Sequence, residues 1–144
     1  MKLKLTATFF LATMASSAFA ASHTGSGDAE AGAKIFNQCK ACHSITADDG
    51  TDVVRGGKIG PNLYGVIGRP VASIADFRYG DGIKALGETG MVWDEESFVA
   101  YVQDPTAFLD EKLGDTSARS KMAFKLRKGM EDVYAYLVSV GPAM

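Results

Sequence analysis

Cysteine, histidine and tryptophan are scarce in this chain of 144 residues, which has two Cys, two His and one Trp. So few Cys and His leave little material for a zinc site, which needs four ligands. Charge of one sign is also lacking: 15 Lys and Arg face 17 Asp and Glu, a formal balance of −2, which excludes a general nucleic-acid binder. Past residue 20 no apolar run approaches the roughly eighteen residues that a membrane-spanning helix needs. Runs of alternating apolar and polar residues are likewise missing, so a strand-rich or βαβ fold is not expected. What the chain has is 47% hydrophobic residues, enough for one globular core at this length. A disordered tail, a collagen-like repeat and a polytopic membrane protein are excluded.

The first twenty residues stand apart. A short basic start, Met1-Lys2-Leu3-Lys4, precedes an apolar run from Leu5 to Met14, and Ala18-Phe19-Ala20 supplies the small-x-small pattern of a cleavage site. These three parts read as a secretory signal peptide over residues 1–20, cut after Ala20, with residues 21–144 as the single working domain. The apolar run is about ten residues, roughly half of what a bilayer core requires, so no membrane anchor is expected. Its removal takes two lysines and no acids, which leaves 13 basic residues against 17 acidic. Export to an oxidising compartment is expected.

An oxidising compartment would normally pair two cysteines. Their spacing points elsewhere. Cys39-Lys40-Ala41-Cys42-His43 is a C-x-x-C-H string, the attachment pattern of c-type haem. On a helical turn, positions i and i+3 share one side, so two thiols can form thioethers with the two haem vinyl groups, and the adjacent His43 is placed to ligate the iron. A redox dithiol of the thioredoxin kind wants a βαβ setting that this chain does not show. A zinc site would have to recruit His23, the only other histidine. A local disulfide would leave His43 without a purpose.

Iron held by one histidine stays open for gas binding or catalysis, or takes a sixth ligand for electron transfer. Past the signal the choices are Met91, Met122, Met130, Met144 and His23. Met130 opens the stripe Met130, Val133, Tyr134, Leu137, Val138, the face of a helix. Met144 ends the chain, and Met91 beside Val92-Trp93 reads as core. Met122 lies in the non-periodic stretch Ser120 to Lys125, where a loop can cross an open haem face, and is backed over Met91 on that placement.

The coarse reading is all-α. Helices are expected from Asp28 to about Gln38, from the N-cap Asp94 until before Pro105, and from about Met130 to Val140 before Gly141-Pro142. Residues 44–62, rich in glycine and acids, read as one long surface loop. Such a shell of short helices is poorly filled by its own side chains, a deficit a large apolar porphyrin would repair.

Further residues join the motif in a fixed order: Gly60-Pro61-Asn62-Leu63-Tyr64-Gly65, Gly68-Arg69, Trp93, Tyr101, Pro105, and Lys121-Met122-Ala123-Phe124. Over residues 27–141 the chain resembles class I cytochromes c, and among them bacterial cytochromes c2. The resemblance implies the cytochrome c fold around one covalent haem, with His43 as proximal and Met122 as distal ligand. It further implies that the Pro61 carbonyl supports the His43 imidazole, that Tyr101 lies beside the Met122 sulfur, that Tyr79 and Trp93 reach the haem propionates, and that Arg69 offsets their charge. Gly32 and Phe36 would pack against Val133 and Tyr136. The loop from His43 to Pro61 is longer than in the mitochondrial pattern, and the stretch from Pro105 to Met122 carries an insertion.

Both axial positions filled would leave outer-sphere transfer of one electron, not substrate turnover, with Phe124 helping to cover the haem edge. Six basic residues (Lys112, Arg119, Lys121, Lys125, Arg127, Lys128) and one acid, Asp115, lie between 112 and 128, while the rest of the mature chain is acidic. That polarity would turn the Met122 face toward acidic partners. By resemblance, a monomeric shuttle would take electrons from the cytochrome bc1 complex and pass them to a photosynthetic reaction centre, a terminal oxidase or a respiratory reductase. A haem enzyme or ligand sensor with a displaceable Met122, and a haem subunit fixed in a larger complex, are the competing expectations.

Overall fold

The computed structural model describes residues 25–142; the expected signal peptide, His23 and Met144 lie outside the described residues. Helix α1 spans Ala29–Ile35. Asp28 opens it, its carboxylate accepting the N–H groups of Glu30 and Ala31 at 2.8 and 3.2 Å. A 3-10 turn, Phe36–Gln38, continues it into the Cys39 region. The final helix, α5, spans Met130–Val140 and lies across α1. At the crossing Gly32 is buried, and a Cβ there would overlap the carbonyl of Asp132, so only glycine lets the backbones come this close. Phe36 meets Tyr136 with ring centroids 5.5 Å apart, and Val133 is buried in the same core.

Three helices fill the middle of the chain: α2, Asp81–Glu88; α3, Glu95–Gln103; and α4, Pro105–Leu113. The α3 N-terminus carries a reciprocal cap, Ser97 N–H to Asp94 carboxylate at 2.8 Å and Asp94 N–H to Ser97 Oγ at 3.0 Å. Helix α3 ends before Pro105, as the sequence suggests, but Pro105 then starts a new helix. Asp104 is the C-cap of α3 and the N-cap of α4, accepting the Ala107 N–H at 3.2 Å. Proline is favoured at a first helical position, where its missing N–H goes unused.

Residues 44–62 differ from expectation. They hold a small antiparallel ribbon, β1 (Ile45–Thr46) and β2 (Asp52–Val54), with Thr46 opposite Asp52 and Ile45 opposite Val54. Asn62 fastens it from below, accepting the Thr46 N–H at 3.0 Å and donating to the Thr46 carbonyl at 2.7 Å. The core is one cluster: Phe36, Ile45, Leu86, Leu109, Val133 and Leu137 are fully enclosed, with Trp93, Phe98, Val102, Phe108 and Leu126 around them. Each such side chain contributes about 1.5–3 kcal/mol on burial. Among the described residues no helix is long and apolar enough to cross a membrane.

Candidate functional site

The proximal side is built almost wholly from backbone. Leaving the 3-10 turn, the Cys42 and His43 N–H groups both reach the Cys39 carbonyl at 3.0 Å, so Cys39, Cys42 and His43 share one helical turn. Both cysteines are free and half-buried. Burial, and then the neighbouring Cys42, push the Cys39 thiol up to about 11, so it stays protonated and is no low-pKa redox nucleophile. Burial lowers the His43 pKa, keeping its imidazole neutral. Its Nδ1 donates to the Pro61 carbonyl at 2.8 Å, which fixes the tautomer and leaves Nε2 with the lone pair.

The segment 56–60 folds back under this turn. Gly57 N–H donates to the Lys40 carbonyl at 2.9 Å and Gly60 N–H to the Cys42 carbonyl at 2.8 Å. Side chains are excluded here: a Cβ on Gly56 would overlap the His43 carbonyl, and one on Gly60 would stand 2.5 and 2.6 Å from His43 Nδ1 and Nε2. The glycine cradle fixes the imidazole in one orientation. Two thiols and a tautomer-fixed imidazole on one turn are the donor set a haem c requires, so these residues fit the group. Among the described residues no three His, Cys, Asp or Glu side chains converge to hold a metal ion, so they provide no zinc site.

The opposite side is built from side chains. Residues 114–129 form no helix, and Met122 lies in their middle, half-buried and packed against the core. Ser120 Oγ accepts the Met122 N–H at 3.1 Å and stands 3.2 Å from Tyr101 Oη, so one hydroxyl joins Tyr101 to the backbone of Met122. Burial raises the Tyr101 pKa, with the Ser120 hydrogen bond acting against it. Lys121 Nζ donates to the carbonyls of Arg78 and Tyr79 at 3.1 and 3.3 Å, and Leu126 N–H donates to the Val102 carbonyl at 2.8 Å. Met91 and Met130 also pack against the core, but on the segment bonded to Val71 and on the first turn of α5 respectively.

Aromatic residues connect the two sides. Trp93 is buried with its ring 5.0 Å from Tyr101 and 6.3 Å from Phe108. Tyr79 packs edge-on to Phe77 at 4.8 Å. Arg69 is half-buried, and its guanidinium donates to the carbonyls of Tyr64 and Asn62 at 2.9 and 3.0 Å, bracing the chain just after Pro61. Burial lowers the Arg69 pKa, and Tyr79 and Asp48 pull it back up. Tyr79 thus lies within electrostatic reach of both Arg69 and Tyr101.

The basic segment is unevenly engaged. Lys125 pairs with Asp104 at 2.5 Å, Lys112 with Glu111 at 3.4 Å, and Arg119 approaches Asp110 at 3.9 Å. Arg127 and Lys128 form no ion pair among the described residues. Lys40 and Lys58, exposed beside the His43 turn, add cations outside the segment 112–128, and between Lys58 and Gly60 the apolar Ile59 is exposed as well. The roles of Gly56, Gly57 and Asp104 have no motif to mark them; the glycine-rich stretch that follows the C-x-x-C-H string is the one signal in the sequence.

An α1–α5 crossing, a C-x-x-C-H turn with its histidine held by a proline carbonyl, and a methionine-bearing loop over the core together define a class I c-type cytochrome. Known proteins agree, although no protein-family model matches the chain. It is 55% identical to cytochrome c2 of Rhodobacter capsulatus over 141 residues, 97% of this chain and 98% of that one. It is 60% identical over 114 residues to cytochrome c-551 of Roseobacter denitrificans, covering 79% of this chain and 81% of that one. Among solved structures, ferric cytochrome c-550 of Paracoccus versutus aligns with a TM-score of 0.79 at 54% identity, over 81% of this chain and 99% of that one. The chain belongs to the cytochrome c2 family, which includes these c-550 and c-551 proteins. It is a haem c electron carrier rather than an enzyme, with one haem bound covalently.

Proposed function

We propose that the chain is a periplasmic one-electron shuttle whose haem is joined to Cys39 and Cys42 and ligated by His43 and Met122. Bound in this way, the haem supplies reversible one-electron exchange at its iron. The protein sets the terms of that exchange. Pro61 holds the His43 proton on Nδ1, so Nε2 is a strong, oriented donor. The Met122 thioether is neutral and soft and favours the reduced metal. With His43 and Met122 both holding the iron, no position would remain for a substrate, and the haem would supply electron transfer at its edge. Phe124, 40% exposed and two residues beyond Met122, covers part of that edge. Trp93, Tyr79 and Arg69 serve the propionate side, where the Arg69 guanidinium offsets negative charge.

The donor is the cytochrome bc1 complex, and the acceptor a photosynthetic reaction centre, a terminal oxidase or another reductase. Docking uses Lys112, Lys121, Lys125, Arg127 and Lys128, and the three of these without an ion pair among the described residues, Lys121, Arg127 and Lys128, dominate the steering. A small, salt-sensitive contact suits a carrier that must release quickly.

The single observation that carries this reading is the oriented His43, Nδ1 on Pro61 and Nε2 free, within a chain that secures a methionine loop against the same core. Met122→Ala tests it. The variant keeps its covalent pigment, loses the weak long-wavelength absorption band of methionine-to-iron ligation, and binds carbon monoxide readily when reduced. Its potential falls by on the order of a few tenths of a volt, within the roughly 0.8 V that axial ligation spans. An unchanged potential, or a wild-type protein without the band and with ready carbon monoxide binding, would favour a ligand sensor or haem enzyme.

A further inference from the structure

The limb of the distal loop that follows Met122 has few anchors. Ser120 and Lys121 secure the residues before it, through Tyr101 and the carbonyls of residues 78 and 79. After it come Ala123 and Phe124, both exposed, and then Lys125, whose ammonium meets Asp104 at 2.5 Å. Leu126 N–H reaches the Val102 carbonyl one residue later. Asp104 is well placed as an anchor because it is itself fixed: it ends α3, begins α4, and its other oxygen takes the Ala107 N–H. Lys125 and Asp104 are each a little over a third exposed, so the pair is open to solvent and to salt.

We propose that Asp104 is a positioning residue for the distal ligand: through Lys125 it latches the outgoing limb of the Met122 loop to the α3–α4 corner. This rests on Met122 being the distal ligand. Because Lys125 belongs to the basic docking segment, the same ammonium answers to Asp104 when the carrier is free and to an acidic partner when it is docked. The latch therefore loosens where a partner binds.

The test uses the ferric holoprotein and added imidazole, which binds iron only where Met122 has opened. Asp104→Asn retains the α4 cap and removes the charge. It raises the apparent affinity for imidazole about two- to fourfold, the range expected for a part-exposed ion pair. Lys125→Gln does the same, and the double variant goes no further than either single one. Raising salt increases wild-type affinity toward that of the variants and leaves theirs unchanged. Wild-type affinity in both single variants, or effects that multiply in the double variant, would overturn the latch. The long-wavelength band separates the two readings: its absence from the wild type removes Met122 as ligand, whereas its presence with unaltered imidazole binding removes only Asp104.

Discussion

The two faces of the site are made in opposite ways. Around His43 the chain uses backbone: carbonyls of residues 39, 40, 42 and 61 take N–H groups, and glycines let segment 56–60 lie directly against the ring. Around Met122 it uses side chains, Ser120, Lys121 and Lys125, each reaching a different element. Backbone packing at close range is stiff and tolerates no added atoms. Exposed polar and ionic tethers are individually weak and give way to solvent, salt or competing charge. His43 is thereby fixed, and Met122 is held by bonds that can be adjusted one at a time.

The largest effect should come from breaking the stiff side. Gly56→Ala forces a methyl group into the His43 carbonyl, a backbone atom that cannot step aside. A loss of about 3 kcal/mol is expected, read from the denaturant midpoint of the holoprotein. On the distal side, Ser120→Ala removes the acceptor of the Met122 N–H and the partner of the Tyr101 hydroxyl. It should cost about 1 kcal/mol in the same measurement and weaken the long-wavelength band, which Gly56→Ala variants that still fold should retain. Equal losses at the two positions would erase the contrast.

The smallest effect is a matter of pH. The Lys125 hydrogen bond, and after it the Ala107 N–H, hold the Asp104 carboxyl below its ordinary value of 3.8. A carboxyl depressed on folding contributes stability that is fully present above that ordinary value and is lost as pH falls through the lower, folded one. The difference in thermal midpoint between wild type and Asp104→Asn should therefore be constant near neutrality and shrink in acid. A difference that persists in strong acid would show that the carboxylate charge plays no part. Burial lowers the His43 pKa as well, so the side of the site around His43 also loses stability in acid, through desolvation of its imidazole instead of a charge pair.

Legibility in the sequence follows the same division. The attachment turn could be read because three reacting groups lie within five residues and only a few chemistries use that spacing. Helices α1, α3 and α5 announced themselves by caps and apolar period. Helix α2 did not: it has eight residues, two of them Gly82 and Gly87, and Gly87 is present because the Val71 carbonyl approaches it. Helix α4 was hidden by Pro105, a stop for the helix before it and a start for the next. The β1–β2 ribbon is too short for any alternation to register. Ser120–Tyr101 and Lys125–Asp104 are separated by 19 and 21 residues, and such pairs exist only once the chain has folded.

The α1–α5 crossing carries a consequence for biogenesis. The surface that covers α1 is supplied by the last helix, so an emerging polypeptide cannot bury its own beginning until it is nearly complete. The attachment cysteines follow α1 directly and share its delay. Both thiols should thus stay reachable until the last helix docks, so a haem would meet an open strand of polypeptide instead of a finished crevice.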